Sequence, residues 1–145
     1  MSYEPVLGQI NLVVRDMDAT VAFYRRLGLR IDAGPGVPHV STRLPNGMHI
    51  EWDSVEFVPQ WDSGWNGTTG GTAVLAFSVP TREAVDQIYA ELTSAGYEGH
   101  QQPYDAFWGA RYAIVDDPDG NSIGIMSPED PEQKVWPPTQ PPQGS

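Results

Sequence analysis

The sequence predicts an α+β fold made of two copies of one small module. Three observations carry this. Two stretches show apolar residues at helical spacing, Met17, Val21, Tyr24 and Leu27, then Ala84, Val85, Ile88, Leu92 and Ala95. Short alternating runs that read as strands surround both. An offset of 65 residues pairs Val14 with Val79, Ala19 with Ala84, Tyr24 with Tyr89 and Leu27 with Leu92. Each half then reads strand, helix, strand, strand, strand. The modules span 6–53 and 72–127, are joined by a loop over 54–71, and form a single domain over 1–128. A proline-rich tail follows over 129–145.

In chain order, Val6 to Val14 reads as the first strand, with Ile10, Leu12 and Val14 alternating with Gln9, Asn11 and Val13. Asp16 is placed to cap a helix, Asp18 favours its first turn, and Gly28 stops it. Leu29 to Asp32 reads as a short strand. Pro38 to Leu44 and Met48 to Asp53 read as a hairpin about Pro45-Asn46-Gly47. On its second strand, Met48, Ile50 and Trp52 share one face, and His49, Glu51 and Asp53 the other. Thr72 to Val79 is the next strand, Thr81 caps the second helix and Gly96 ends it. Tyr97 to Gln102 is a short strand. Asp117-Pro118-Asp119-Gly120-Asn121 then turns a hairpin whose last strand ends near Met126, with Gly120 supplying the left-handed backbone. Pro128 to Ser145 holds six prolines and is expected to be irregular, docked if at all by Trp136.

Composition narrows the function. With 39% hydrophobic residues the chain can bury a core. Its net charge of −11 argues against nucleic acid and anionic membrane surfaces, and favours a neutral or cationic small ligand. There is no cysteine, hence no disulfide frame and no thiolate metal site. No signal peptide and no long apolar run is legible, so a cytoplasmic location is expected. The glycines at 64, 67, 70 and 71 lie among tryptophan and threonine without a phosphate-binding lysine.

Two motifs carry a resemblance over about residues 6 to 128. They are Val14-Arg15-Asp16-Met17-Asp18 running into Ala22-Phe23-Tyr24-Arg25-Arg26-Leu27-Gly28, and Asp117-Pro118-Asp119-Gly120-Asn121 before the last strand. The chain resembles the vicinal oxygen chelate superfamily, which includes glyoxalase I, extradiol dioxygenases and bleomycin-resistance proteins. That resemblance implies paired βαβββ modules forming a cupped, eight-stranded mixed sheet, and a homodimer. Metal-dependent members carry four ligands on the cup-facing strands. The matching positions here are Gln9, Glu51, Val74 and Gly124. Gln9 and Glu51 fit the pattern, but Val74 has no donor and Gly124 no side chain, so a tightly held metal is not expected. No cofactor is expected either.

The ligand-binding residues expected from strand faces and loop aromatics are Gln9, Asn11, His49, Glu51, Trp61, Trp65, Val74, Ala76, Phe107, Trp108 and Gly124. Ala76 and Gly124 are expected to leave the floor of a cavity open, with Trp61, Trp65 and Trp108 closing over it. His39 is a further candidate to join His49 and Glu51 in binding metal or in acid–base work. Trp61 and Trp65 read equally as a ligand wall or as a loop core. Trp52 is expected in the core, and His100 has no assigned role. The first functional reading is a metal-free protein that sequesters a bulky aromatic or cationic natural product, as the bleomycin-resistance branch does. The alternatives are a metal-dependent enzyme with a rearranged Gln9, His49, Glu51 site, and a metal-free enzyme of undisclosed substrate.

Overall fold

The structure is a computed structural model that describes residues 6–71 and 73–135. Among the described residues it has two α-helices and two sheets, and the chain divides into two compact units, residues 1–70 and 71–145. The α+β class and the repeated module are as the sequence predicts. In the first unit, β1 (Gln9–Val14), β2 (His39–Arg43) and β3 (His49–Ser54) form a sheet of order β1-β3-β2. In the second, β4 (Val74–Ser78), β5 (Gly99–Asp105), β6 (Arg111–Asp116) and β7 (Ser122–Met126) form a sheet of order β4-β7-β6-β5.

The first helix, α1 (Met17–Leu27), forms for the reasons legible in its sequence. The Asp16 carboxylate accepts from the Ala19 N–H at its start, and Gly28 closes it with φ +112°. Its buried face is Met17, Thr20, Val21, Phe23 and Tyr24. Tyr24 packs on Trp52 of β3 with ring centroids 5.0 Å apart, and both are fully buried. Trp52 is thus core, as its strand face requires. In the second unit Thr81 caps α2 (Arg82–Ser94) through the Ala84 N–H. Val85 and Leu92 of α2 and Ala113, Val115, Ile123 and Ile125 of the hairpin strands are all buried.

The hairpin turn is held by one side chain. Asp117 Oδ1 accepts from the backbone N–H of Asp119 and Asn121, and its Oδ2 accepts from Asn121 Nδ2. Gly120 takes the positive φ, +85°, that this turn demands.

Two features differ from the sequence expectation. The strand expected over 29–32 does not form, leaving seven strands among the described residues in place of eight. Side chains take the carbonyls a strand partner would need: Arg25 donates to the oxygens of Ile31 and Ala33, and Thr42 Oγ1 donates to that of Arg30. The tail also has structure at its start. Pro131–Gln133 forms a 3₁₀ turn capped by Asp130, and the Val135 N–H donates to Phe107 O. Trp136 lies outside the described residues. No helix among the described residues is long and apolar enough to cross a membrane.

The strand registers make the repeat explicit. In the first unit Gln9 pairs with His49 and Asn11 with Glu51. In the second Val74 pairs with Ser122 and Ala76 with Gly124. On the other side of the central strand, His39 pairs with Asp53 and Ser41 with Glu51, as Tyr112 pairs with Met126 and Ile114 with Gly124. One plan therefore fixes the neighbours of each position in both units.

Candidate functional site

Strand alternation sends Gln9 and Asn11 of β1, His39 and Ser41 of β2, and His49, Glu51 and Asp53 of β3 to the face of the first sheet away from the Trp52 core. Because β3 lies between β1 and β2, its carboxylates have neighbours on both sides. A continuous polar chain results. Gln9 Nε2 donates to Asn11 Oδ1 at 2.8 Å, and Asn11 Nδ2 donates to Asp53 Oδ2 at 3.0 Å. Asp53 Oδ1 meets His39 Nδ1 at 2.5 Å. The far nitrogen of that ring, Nε2, lies 3.5 Å from Glu51 Oε1. Ser41 Oγ donates to Glu51 Oε2 at 3.2 Å and lies 3.4 Å from His49 Nδ1.

Asp53 is fully buried. A carboxylate so placed needs partners for both oxygens, and His39 and Asn11 supply them. Since a carboxylate only accepts, the hydrogen on this side of the ring belongs to His39 Nδ1. The Phe57 ring packs on the imidazole, centroids 5.6 Å apart. Gln9, Asn11, His39, Glu51, Asp53, Phe57 and Trp61 together line a cleft of about 260 Å³.

Of the residues expected from sequence, Gln9, Asn11, Glu51 and Trp61 line this cleft, and His49 stands beside it through Ser41. Trp65 lines a different, larger groove of about 730 Å³ with Arg15, Val55, Glu56, Gly67, Thr68 and Thr69, its indole N–H bonded to Thr68 O. That groove sets the charged Arg15 and Glu56 beside Val55, Trp65 and three small loop residues, whereas the smaller cleft gathers the hydrogen-bonded carboxylates, amides and imidazole. His39, the further candidate named from sequence, also lines it, as do Asp53 and Phe57, which were not among the expected binding residues. The signal for Asp53 was present: it is two residues beyond Glu51 on one strand and pairs with His39 across the hairpin.

In the second unit, Val74 and Ala76 lie exposed on β4. Phe107 and Trp108 join Tyr104 and Tyr112 in an edge-to-face aromatic cluster, with Trp108 5.1 Å from Phe107 and 5.2 Å from Tyr112. Burial pushes the phenols of Tyr104 and Tyr112 above their ordinary value, Tyr112 further because of Tyr104, so both stay neutral donors. The open floor expected at Gly124 is not present. A Cβ there would lie 2.5 Å from Tyr112 Oη and 3.0 Å from two carbons of its ring. Ile114 is the register partner of Gly124, and the Tyr112 ring leans across to it diagonally from two pairs along, on the same face.

The residues present do not fit the four-ligand metal site of the metal-dependent relatives. Val74 is an exposed hydrocarbon, and the place of a side chain at Gly124 is taken by a phenol ring. Among the described residues no group of three or more His, Cys, Asp or Glu side chains is arranged to hold a metal ion.

No curated protein matches the chain. Solved structures match it over most of its length. A glyoxalase-related enzyme from Fulvimarina pelagi shares 23% identity with a TM-score of 0.74, covering 97% of this chain and 96% of that one. A glyoxalase/bleomycin resistance protein/dioxygenase family enzyme from Burkholderia phytofirmans PsJN shares 25% identity with a TM-score of 0.71, covering 83% and 97%. Lactoylglutathione lyase from Agrobacterium tumefaciens shares 17% identity with a TM-score of 0.64, covering 86% and 94%, a likeness of fold. A sequence profile of one family matches residues 6–125, and the chain therefore belongs to the Glyoxalase/Bleomycin resistance protein/Dioxygenase superfamily.

Proposed function

We propose that the protein is a metal-independent binding protein of this superfamily that sequesters an aromatic or cationic small molecule, seated in the cleft of the first unit. The observation that supports this reading is the composition of that cleft. Two carboxylates, Glu51 and the buried Asp53, share it with two amides and with the rings of Phe57 and Trp61. Acceptors fix orientation and charge, and rings supply area for a flat guest. Phe57 is held against His39, whereas Trp61 is 51% exposed and has contact area to gain. At about 260 Å³ the cleft suits a small molecule, or one projecting group of a bulky natural product. No step through a metal is part of this reading, because the donor set does not fit one.

NMR titration of the labelled full chain with benzylamine, benzyl alcohol and benzyltrimethylammonium tests it. Shifts are expected at Gln9, Glu51 and Trp61, and Trp61→Ala should weaken whichever probes bind by about 2- to 12-fold, the worth of one stacked ring. Absence of binding by all three, or shifts that leave these residues untouched, removes the cleft as the site.

A further inference from the structure

Outside the cleft, we infer that Asn66-Gly67 is a self-modification site, where the backbone nitrogen of Gly67 cyclises onto the Asn66 side chain and converts it to aspartate and isoaspartate. The chain has four asparagines, and two of them, Asn46 and Asn66, precede glycine. Glycine matters because it has no side chain to shield its nitrogen from the neighbouring carbonyl. Both pairs are exposed, and both glycines take positive φ, +92° at Gly47 and +86° at Gly67. Sequence and exposure do not separate the two pairs. Hydrogen bonding does.

Asn66 Oδ1 accepts from the Thr68 N–H at 3.0 Å and from Thr68 Oγ1 at 2.7 Å. These bonds fold the side chain back over the Gly67 peptide and polarise its carbonyl. Attack of the Gly67 nitrogen on Cγ places negative charge on Oδ1, where both donors already point, as in an oxyanion hole. Among the described residues nothing accepts from the Gly67 N–H, so its proton is open to solvent base. At Asn46 the arrangement is reversed. Among the described residues Oδ1 there accepts from the Met48 N–H alone, and the Gly47 N–H donates to Leu44 O at 2.9 Å. The nucleophile is tied into the turn between β2 and β3. Asn11 and Asn121 precede larger residues, and their amides are bonded to Asp53 and Asp117.

In the reaction the Gly67 nitrogen gives its proton to solvent base and bonds to Asn66 Cγ. The Cγ–Nδ2 bond breaks, and ammonia leaves after taking a proton from water. Water then opens the cyclic imide at either carbonyl, giving aspartate, or isoaspartate with an extra methylene in the main chain. Either product adds a carboxylate to the loop that walls the groove of Arg15 and Glu56. Isoaspartate also displaces Thr68, whose carbonyl holds the Trp65 indole.

Peptide mapping by mass spectrometry, on the full chain held folded at mildly alkaline pH, tests this. Asn66 is expected to convert at least about fourfold faster than Asn46, because one more hydrogen bond on the carbonyl and one fewer on the nitrogen each change the rate by about 2- to 12-fold. In guanidinium chloride the two rates should converge, since neither turn survives there. Thr68→Val should slow conversion of Asn66 by about 2- to 12-fold, whereas Thr68→Ser, which keeps the hydroxyl, should retain the parent rate. In the parent, the Trp65 indole N–H resonance should move in step with conversion. An Asn66 that does not convert in the folded chain, or converts no faster than Asn46, overturns the inference. So does a rate ratio that persists in denaturant, or a Thr68→Val chain that converts as fast as the parent. An indole resonance that stays in place while position 66 converts overturns the link to the groove.

Discussion

The two units share one plan and turn opposite chemistry to their open sheet faces. Where the first has Gln9 beside His49 and Asn11 beside Glu51, the second has Val74 beside Ser122 and Ala76 beside Gly124. Where the first places His39 two pairs along from Glu51, the second places Tyr112 two pairs along from Gly124. In the first unit this diagonal puts an imidazole nitrogen near a carboxylate oxygen. In the second it lays a ring over a glycine. Register fixes which residues meet, and side-chain size then decides whether they form a polar cleft or an apolar lid. A repeated fold therefore does not imply a repeated site.

The comparison can be broken most strongly at its polar centre. Asp53→Ala should destabilise the protein by about 1–3 kcal/mol, because His39 Nδ1 and Asn11 Nδ2 lose their acceptor in a part-buried setting. Chemical denaturation measures this. A loss below about 0.5 kcal/mol would show that the network adds nothing to stability.

The matching change in the second unit is Gly124→Leu. It inserts a side chain where Tyr112 sits, and overpacking of this kind costs about 1–3 kcal/mol. The companion Gly124→Leu with Tyr112→Ala should recover part of that loss, since the ring is the obstacle. A double variant no more stable than the single one would show that something other than the tyrosine requires glycine.

The smallest expected effect sharpens the electrostatic side of the comparison. In the second unit Asp105 is bonded to Arg82 and Arg111, and Arg111 also to Asp86. Burial raises the Asp105 pKa, but the hydrogen bonds and charges of the two arginines outweigh it and hold the carboxyl below its ordinary 3.8. A carboxyl depressed in the folded state adds stability above its unfolded value, and that stability is lost as pH falls through the folded value. Melting temperature should therefore drop below about pH 4 more steeply in the parent than in Arg111→Gln. Parallel curves for the two would show the pairs to be screened, as their exposure permits.

Much of this was legible in the sequence, and the reason is local. Asp16 and Gly28, Thr81 and Gly96, and the Asp117 to Asn121 turn each act on backbone a few residues away, so composition at fixed offsets discloses them. Period-two alternation likewise assigned Trp52 to the core and Gln9, Asn11 and Glu51 to the opposite face. The resemblance motifs are of the same local kind, and they led to the right superfamily. The tertiary structure alone decided whatever depends on contacts remote in sequence. Leu29 to Asp32 has strand composition, but Arg25 and Thr42 take its carbonyls. Gly124 looked like open space until Tyr112, twelve residues earlier in the hairpin, filled it. His39 and Asp53, 14 residues apart, became a bonded pair only when the register of β2 on β3 set them opposite each other. Capping and periodicity are properties of one segment, whereas a site is made where segments meet, and that meeting is written in register and packing.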